Sequence, residues 1–344
     1  MKILVVTDAW HPQVNGVVRT LGQVAREAGL FGVDVEFLSP SEFWTLPMPS
    51  YPEIRRARPA PGAGERRRER AQPDAIHIAT EGPLGHAMRR LCLKRGLPFT
   101  TSLHTRFPDY LAGRLPMPEK WTCDLTWAWL RRFHASSAAV LAATPTLADE
   151  LTARGFGNVK LWSRGVDAQL FNPAKRRPLD LPGPVFLTVG RVAVEKNIEA
   201  FLKLDLPGTK LVVGDGPARA SLARKYPDAV FAGAMQGEDL ARAYASADVF
   251  VFPSLTDTFG LVLLEALASG VPVAAFPAAA PRDVIGQAAV GALDEDLRLA
   301  CLAALRIERG ACRAFAEKLT WESCARTFVR HVTEATQGAK ALAA

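Results

Sequence analysis

The chain has 344 residues, is 49% hydrophobic and 22% charged, and carries a formal net charge of +7. At roughly 150 residues per domain this length predicts two domains. The composition excludes a disordered tail, a collagen-like fibre and a disulfide-stapled miniprotein.

Taken in chain order, short β-rich runs alternate with helical stretches, which predicts α/β architecture with parallel sheets. Lys2–Val6 is a buried strand that turns polar at Thr7-Asp8, too early for a secretory signal. A helix over Val17–Gly29 follows, then strands over Asp34–Leu38, Ala75–Ile78, Phe99–Thr101, Ala138–Ala142 and Val159–Leu161. The run from Phe171 to Pro184 holds four prolines and a basic triplet, which neither a helix nor a central strand tolerates, so it reads as a linker. Further strands are expected over Val185–Val189, Lys210–Val213, Ala229–Phe231, Val249–Phe252 and Val273–Ala275. The expected divisions are a first domain over 1–172, a linker over 173–184 and a second domain over 185–320. A C-terminal helix and tail over 321–344 is expected to pack back on the first domain. No apolar run reaches the roughly 18 residues of a spanning helix. Five cysteines without a C-x-x-C pair read as reduced core thiols of a cytosolic protein.

The charge is uneven. Residues 1–172 hold 22 Lys/Arg against 16 Asp/Glu, whereas residues 173–344 hold 20 against 19. Arg55, Arg56, Arg58, Arg66, Arg67, Arg68 and Arg70 crowd one Pro-, Gly- and Ala-rich segment, which reads either as a solvated loop or as a surface for an anionic partner.

The most informative stretch runs from Asp248 to Pro272. A strand ends at Pro253-Ser254, a loop carries Asp257, and a helix over Leu261–Ser269 carries Glu265 before Gly270 stops it. A carboxylate beside the donor-rich start of a helix suits a phosphate and a polyhydroxylated ligand together, the ingredients of a sugar nucleotide. The plain alternative is an N-cap Asp and a solvated Glu. Upstream, Arg191 at a strand end and Lys196 at a helix start can converge on a diphosphate, one as a planar fork and the other as a point charge. Gly214 and Gly216, in Val213-Gly214-Asp215-Gly216-Pro217, do not make a dinucleotide fingerprint, because position 219 is Arg. In the first half Asn15-Gly16 precedes a helix, where the backbone can approach a phosphate. His104 lies just past a strand end, which lines the crevice in open α/β sheets. His11, His77, His86, His134 and His331 read as structural hydrogen-bonders.

Asp257-x7-Glu265, in the frame TDTFGLVLLEALASG, resembles the E-x7-E motif of glycosyltransferase family 4, with Asp in place of the first Glu. The resemblance covers nearly the whole chain. It implies a retaining GT-B glycosyltransferase: two Rossmann-like, doubly wound domains facing a central cleft. It assigns Asp257 to donor-sugar hydroxyls, Glu265 to the nucleotide ribose, and Arg191 and Lys196, in the G-R-x-x-x-x-K frame, to the leaving diphosphate. Phe259, Gly260, Leu261 and Gly214 fall with the nucleotide-sugar contacts. Asn15 and Gly16, in the P-x-x-N-G-V loop, cover the diphosphate, and His104 meets the donor sugar near the reacting carbon. Retention by front-face attack within an ion pair is implied, the departing phosphate oxygen taking the acceptor's proton. No cofactor or metal is expected, and the triplet Asp294-Glu295-Asp296 is placed in a late surface turn. UDP-glucose, UDP-glucuronate, UDP-galactose and GDP-mannose all remain compatible as donors.

Phe43 and Trp44 beside Arg55 and Arg56 suit a bilayer interface, with Leu111–Arg114 and Trp127–Phe133 as extensions, although Trp127 and Trp129 themselves read as core. Asp8 and Asp109 are candidate acceptor contacts. The similarity is strongest to members that glycosylate membrane lipids. A hexosyltransferase peripheral to the inner membrane face, with a lipid acceptor such as diacylglycerol, is therefore expected. The second expectation is a GDP-mannose-dependent α-mannosyltransferase acting on a phosphoinositide or polysaccharide. A nucleic-acid-binding protein is disfavoured by the lack of a recognition motif and the nearly neutral second half. An epimerase lacks the Asp257/Glu265 frame, and a phosphorylase would need a cofactor lysine setting absent at this length.

Overall fold

The aliphatic runs become the strands of two six-stranded parallel sheets, each in its own unit. The computed structural model describes residues 1–13, 15–48, 51–104 and 118–343. One unit comprises Met1–Ser163 with Trp321–Ala344, and the other Arg164–Thr320. This is the α/β, two-Rossmann architecture expected.

In the first unit β1 (Lys2–Val6), α1 (Gly16–Leu30) and β2 (Asp34–Leu38) are followed by an antiparallel hairpin, β3 (Thr45–Met48) and β4 (Tyr51–Ala57). Then come α2 (Ala63–Ala71), β5 (Ala75–Ile78), α3 (Pro83–Arg95), β6 (Thr100–Leu103), α4 (Glu119–His134), β7 (Ala139–Ala142), α5 (Pro145–Ala153) and β8 (Val159–Leu161). The sheet order is β2-β1-β5-β6-β7-β8, so the direction of strand addition reverses between β1 and β5. Leu4, Val6, Ile76, Ile78, Met88, Cys92, Phe99 and Phe133 form one buried core on this sheet. Helix α1 turns Val18, Leu21, Val24 and Ala28 inward at helical spacing, and Asn15 caps it through its side chain.

In the second unit β9 (Val185–Val189), α6 (Ile198–Leu202), β10 (Thr209–Val213), α7 (Arg219–Lys225), β11 (Val230–Gly233), α8 (Gly237–Ser246) and β12 (Val249–Phe252) follow in order. They are succeeded by α9 (Leu261–Ala268), β13 (Val273–Ala275), α10 (Ala279–Ile285), β14 (Gly291–Leu293), α11 (Leu297–Ala304) and α12 (Arg309–Ala316). The order β11-β10-β9-β12-β13-β14 reverses between β9 and β12, where Phe186 pairs with Val249 and Leu187 with Phe250. In open parallel sheets ligands bind at the carboxyl ends of the strands on either side of such a reversal.

The chain leaves the first unit at Ser163 and returns at Trp321 with α13 (Trp321–Ala343). The division therefore differs from the expected boundary at 172. The Pro-rich segment 173–184 is strapped to the second unit rather than spanning between domains. Lys175 pairs with Glu238 at 2.8 Å, Arg176 with Asp248 at 3.1 Å, and the Arg177 N–H donates to Ser246 Oγ at 3.0 Å. Prolines exclude regular structure but not packing.

The Arg-rich segment is ordered rather than a loop. Arg55 and Arg56 lie on β4, and Arg66 to Arg70 on α2, whose sequence AGERRRERA is rich in strong helix formers and buries Ala63 and Ala71 at its ends.

Candidate active site

In the second unit the loops after β9, β10 and β12 meet at the strand-order reversal. Glycine makes the first meeting possible. A Cβ at Gly214 would stand 1.8 Å from Gly190 O, and one at Gly216 would stand 2.5 Å from Val192 O. Through this close approach Gly190 N donates to Val213 O at 3.0 Å and Val192 N to Asp215 O at 2.8 Å. Gly214 was expected among the nucleotide-sugar contacts; its evident role is to seat the Arg191 loop.

That loop continues through a 3₁₀ turn, Val194–Lys196, closed by Asn197 in the left-handed region at φ 51°. Asn197 Nδ2 donates to Pro253 O at 3.1 Å, and Lys196 Nζ reaches Asp257 Oδ1 at 2.6 Å. Two bonds thus fasten the loop after β9 to the loop after β12. Arg191, half-buried, stands at the start of the same loop. Asp257 Oδ2 is buried with no hydrogen-bond partner among the described residues. This carboxylate does not cap α9; Gly260, at φ 76°, occupies the cap position, where a Cβ would lie 3.0 Å from the Phe252 ring. Phe259 is buried and Leu261 half-buried beside it.

Glu265, one turn into α9, is 3% exposed rather than solvated. Its Oε2 accepts from the Tyr244 hydroxyl at 3.0 Å. Tyr244 is fully buried, with its ring 5.6 Å from those of Phe171 and Phe250. A carboxylate survives such burial only when hydrogen-bonded. Sequence reasoning missed Tyr244 and Asn197. The inward face of amphipathic α8 was the available signal for the first, and an Asn at the end of a G-R-x-x-x-x-K frame for the second.

In the first unit Asn15 Oδ1 accepts from Val17 N and Val18 N, both at 3.0 Å, so the carboxamide occupies two of the helix-start donors. Gly16 is the first helical residue rather than the one before it. Asp8, an expected acceptor contact, is committed elsewhere. Its carboxylate accepts from Leu84 N at 2.9 Å, Gly85 N at 3.3 Å and Thr80 Oγ1 at 2.9 Å, capping α3. Burial raises the Asp8 carboxyl above the ordinary aspartate range; the three hydrogen bonds oppose that and the nearby Glu81 reinforces it. Gly82 is required there, since its Cβ would fall 2.3 Å from Asp8 Cγ. Buried Glu81 accepts from or donates to His134 Nε2 at 3.2 Å, and His134 Nδ1 meets Thr101 Oγ1 at 2.8 Å. His104 Nε2 lies 2.8 Å from Ser102 Oγ. Asp109 and Leu111–Arg114 lie outside the described residues.

The proposed lipid-facing residues divide. Phe43 packs against the first unit's core, as a large apolar ring following a tight turn will. Trp44 is 63% exposed, with the Arg58 guanidinium 5.9 Å from its ring centroid. Arg55 bonds across the hairpin to Thr45 Oγ1 at 2.6 Å, and Arg56 is exposed. Trp127 is buried, as read; Trp129 is 40% exposed and is not core. The reason is helical phase: Trp121 and Leu125 lie on the face of α4 opposite buried Trp127 and Leu130, and Trp129 sits at the edge of that outward face with its ring 6.5 Å from Phe133. Arg132 shares that outward face, which a surface helix ordinarily fills with polar groups. Asp296, in the acidic triplet, caps α11 by accepting from Arg298 N at 2.9 Å. The described residues include no cluster of His, Cys, Asp or Glu able to hold a metal ion, and no helix long and apolar enough to cross a membrane.

Against known proteins, residues 14–170 match the model of Glycosyltransferase Family 4, and residues 183–307 that of Glycosyl transferases group 1. A GDP-mannose-dependent alpha-mannosyltransferase of Mycobacterium tuberculosis is 33% identical over 324 residues, covering 83% of this chain and 81% of that protein. A GDP-mannose-dependent alpha-(1-6)-phosphatidylinositol dimannoside mannosyltransferase of the same species is 27% identical over 379 residues, covering 99% and 97%. Among solved structures, a sucrose-phosphate synthase from Thermosynechococcus elongatus superposes with a TM-score of 0.77 at 19% identity, covering 98% of this chain and 99% of that one.

Proposed function

Because the chain belongs to glycosyltransferase family 4 and is a glycosyltransferase using a nucleotide sugar, we propose that it moves an α-mannosyl group from GDP-mannose to a membrane-lipid acceptor with retention of configuration. The carrying observation is Asp257: one carboxylate oxygen is held by Lys196 and the other is buried without a partner among the described residues. A buried acceptor left unpaired is costly, and a sugar hydroxyl satisfies it. The relatives named for GDP-mannose support the donor base, and the one named for a phosphatidylinositol dimannoside supports the lipid.

In this reading Lys196 and Arg191 neutralise the diphosphate as it departs, doing the work of a metal ion. Preorganised charge of this kind, in a site shielded from water, is usually the largest catalytic contribution. Asp257 holds the sugar hydroxyls and Glu265, kept in place by Tyr244, the ribose. Asn15 and Gly16 attend the diphosphate, and His104 the sugar near the reacting carbon. The departing phosphate oxygen takes the acceptor's proton. The outward stripe of α4 and exposed Trp44, among Arg55, Arg56, Arg58 and Arg132, seat the enzyme on an anionic bilayer, where each basic residue contributes about 1 kcal/mol.

A thermal-shift panel of GDP, UDP, ADP and their sugars tests the donor. GDP-mannose at 100 times its dissociation constant stabilises by about 2.7 kcal/mol, an easily visible shift. A response to UDP-sugars alone would sink the mannosyl reading, and a response to none would sink the nucleotide site. Flotation with phosphatidylglycerol vesicles at low salt tests the surface. Wild type should float and the triple variant Trp121→Ser, Leu125→Ser, Trp129→Ser should not. Equal flotation of the two, or none by wild type, removes α4 from the membrane.

A further inference from the structure

A second hydrogen-bonded chain runs through the first unit, and the sheet's register creates it. Thr100, Ser102 and His104 alternate onto one face of β6 and its extension. His77 of β5 pairs in register with Thr100, so its ring reaches Thr100 and, diagonally, Ser102. Thr100 Oγ1 lies 2.9 Å from His77 Nδ1, His77 Nε2 3.2 Å from Ser102 Oγ, and Ser102 Oγ 2.8 Å from His104 Nε2.

The surroundings are apolar. His77 is fully buried and Ser102 is 1% exposed. The Trp162 ring stands edge-on to both imidazoles, at 6.2 Å from His77 and 5.8 Å from His104. Phe328 of the returning helix α13 closes over His77 at 4.9 Å, and Trp162 Nε1 donates to Cys324 O of the same helix at 3.2 Å.

A hydroxyl carries one hydrogen, and Ser102 sits between two ring nitrogens. The hydroxyl can accept at two lone pairs, but among the described residues its only side-chain partners are these two ring nitrogens, so its buried hydrogen is used only when one imidazole accepts and the other donates. In one arrangement His77 Nε2–H donates to Ser102, whose hydroxyl donates to His104 Nε2, so neutral His104 carries its hydrogen on Nδ1. In the other, His104 Nε2–H donates to Ser102, the hydroxyl donates to His77 Nε2, and His77 Nδ1–H donates to Thr100. No heavy atom moves between them. A doubly protonated His104 fits the second alone.

We propose that His77 and Ser102 are positioning residues that bind the tautomer of His104 to that of His77, allowing His104 to hold a proton without breaking a bond. This rests on His104 acting at the donor sugar, and the test separates the two. In protein labelled with ¹⁵N-histidine, the six rings are assigned by single substitutions and their tautomers read from the ring nitrogen shifts. Ser102→Ala should change the tautomer ratio of His104 and lower kcat by about tenfold, with the donor KM nearly unchanged; Ser102→Thr should restore both. Thr100→Val, close to isosteric, should shift His77 and His104 together although it touches only the first. A His104 spectrum indifferent to both Ser102→Ala and Thr100→Val overturns the coupling. Full turnover in Ser102→Ala with an altered His104 spectrum overturns the positioning role. Full turnover in His104→Ala instead defeats the catalytic assignment of His104, while the spectra still decide the coupling.

Discussion

Tyr244→Phe removes one oxygen and leaves the ring in its setting between Phe171 and Phe250. What changes is Glu265, whose Oε2 loses a donor at 3.0 Å in a site where the glutamate is 3% exposed. A hydrogen bond to an ionised group contributes about 1.5–3 kcal/mol, and losing this donor forfeits that range. The ring keeps its volume, so no cavity cost adds to it. At 2–4 °C per kcal/mol for a unit of this size, the second unit should melt roughly 3–12 °C lower. The probes can localise the loss. All seven tryptophans lie in the first unit, at positions 10, 44, 121, 127, 129, 162 and 321. Tryptophan fluorescence therefore follows the first unit, whereas far-ultraviolet circular dichroism follows both. The dichroism transition should move and the fluorescence transition should move less. GDP affinity should fall about tenfold, equivalent to 1.4 kcal/mol, because the carboxylate is no longer held for the ribose. An unchanged dichroism midpoint would refute the energetic argument. A lowered midpoint with unchanged GDP affinity would make Tyr244 and Glu265 a purely structural pair.

Three more outcomes are expected. Lys196→Ala should cut turnover at least ~10²-fold, the scale of one preorganised donor. Near-normal turnover removes Lys196 from the site. Gly214→Ala should destabilise the second unit by more than about 2 kcal/mol, because its Cβ would meet Gly190 O at 1.8 Å from a backbone at φ 147°; a wild-type denaturation midpoint would show that the two loops can part freely. Asp8 supplies the pH test. Its folded pKa is raised, chiefly by burial, so between the unfolded and folded values the native state holds more protons and stability falls as pH rises. As pH rises above the ordinary aspartate range the wild type should therefore lose stability relative to Asp8→Asn in urea titrations; a difference that is flat, or grows with pH, contradicts the buried setting of Asp8.

Local chemistry was enough to place the strands of both sheets near their observed positions, because buried parallel strands are short runs of Val, Ile, Leu, Phe and Ala between turn residues. Lys2–Val6, Val185–Val189 and Val249–Phe252 are of this kind. It also marked Arg191, Lys196, Asp257 and Glu265, whose residue types and spacing suit a diphosphate and a sugar. It did not reveal the hairpin Thr45–Ala57 or α2, where prolines and arginines masked the pattern. Nor could it show what each functional group touches. Asp257 with Lys196, Glu265 with Tyr244, Asp8 with the start of α3, and His104 with Ser102 and His77 are partnerships made by strand order and register. Three of these pairings join residues more than twenty positions apart, and the His77–Ser102 contact also crosses between strands. Composition and spacing act along the chain, so they named the groups; burial and hydrogen bonding act through space, so only the folded sheets decided which were held ready for a ligand and which were already spent on the fold.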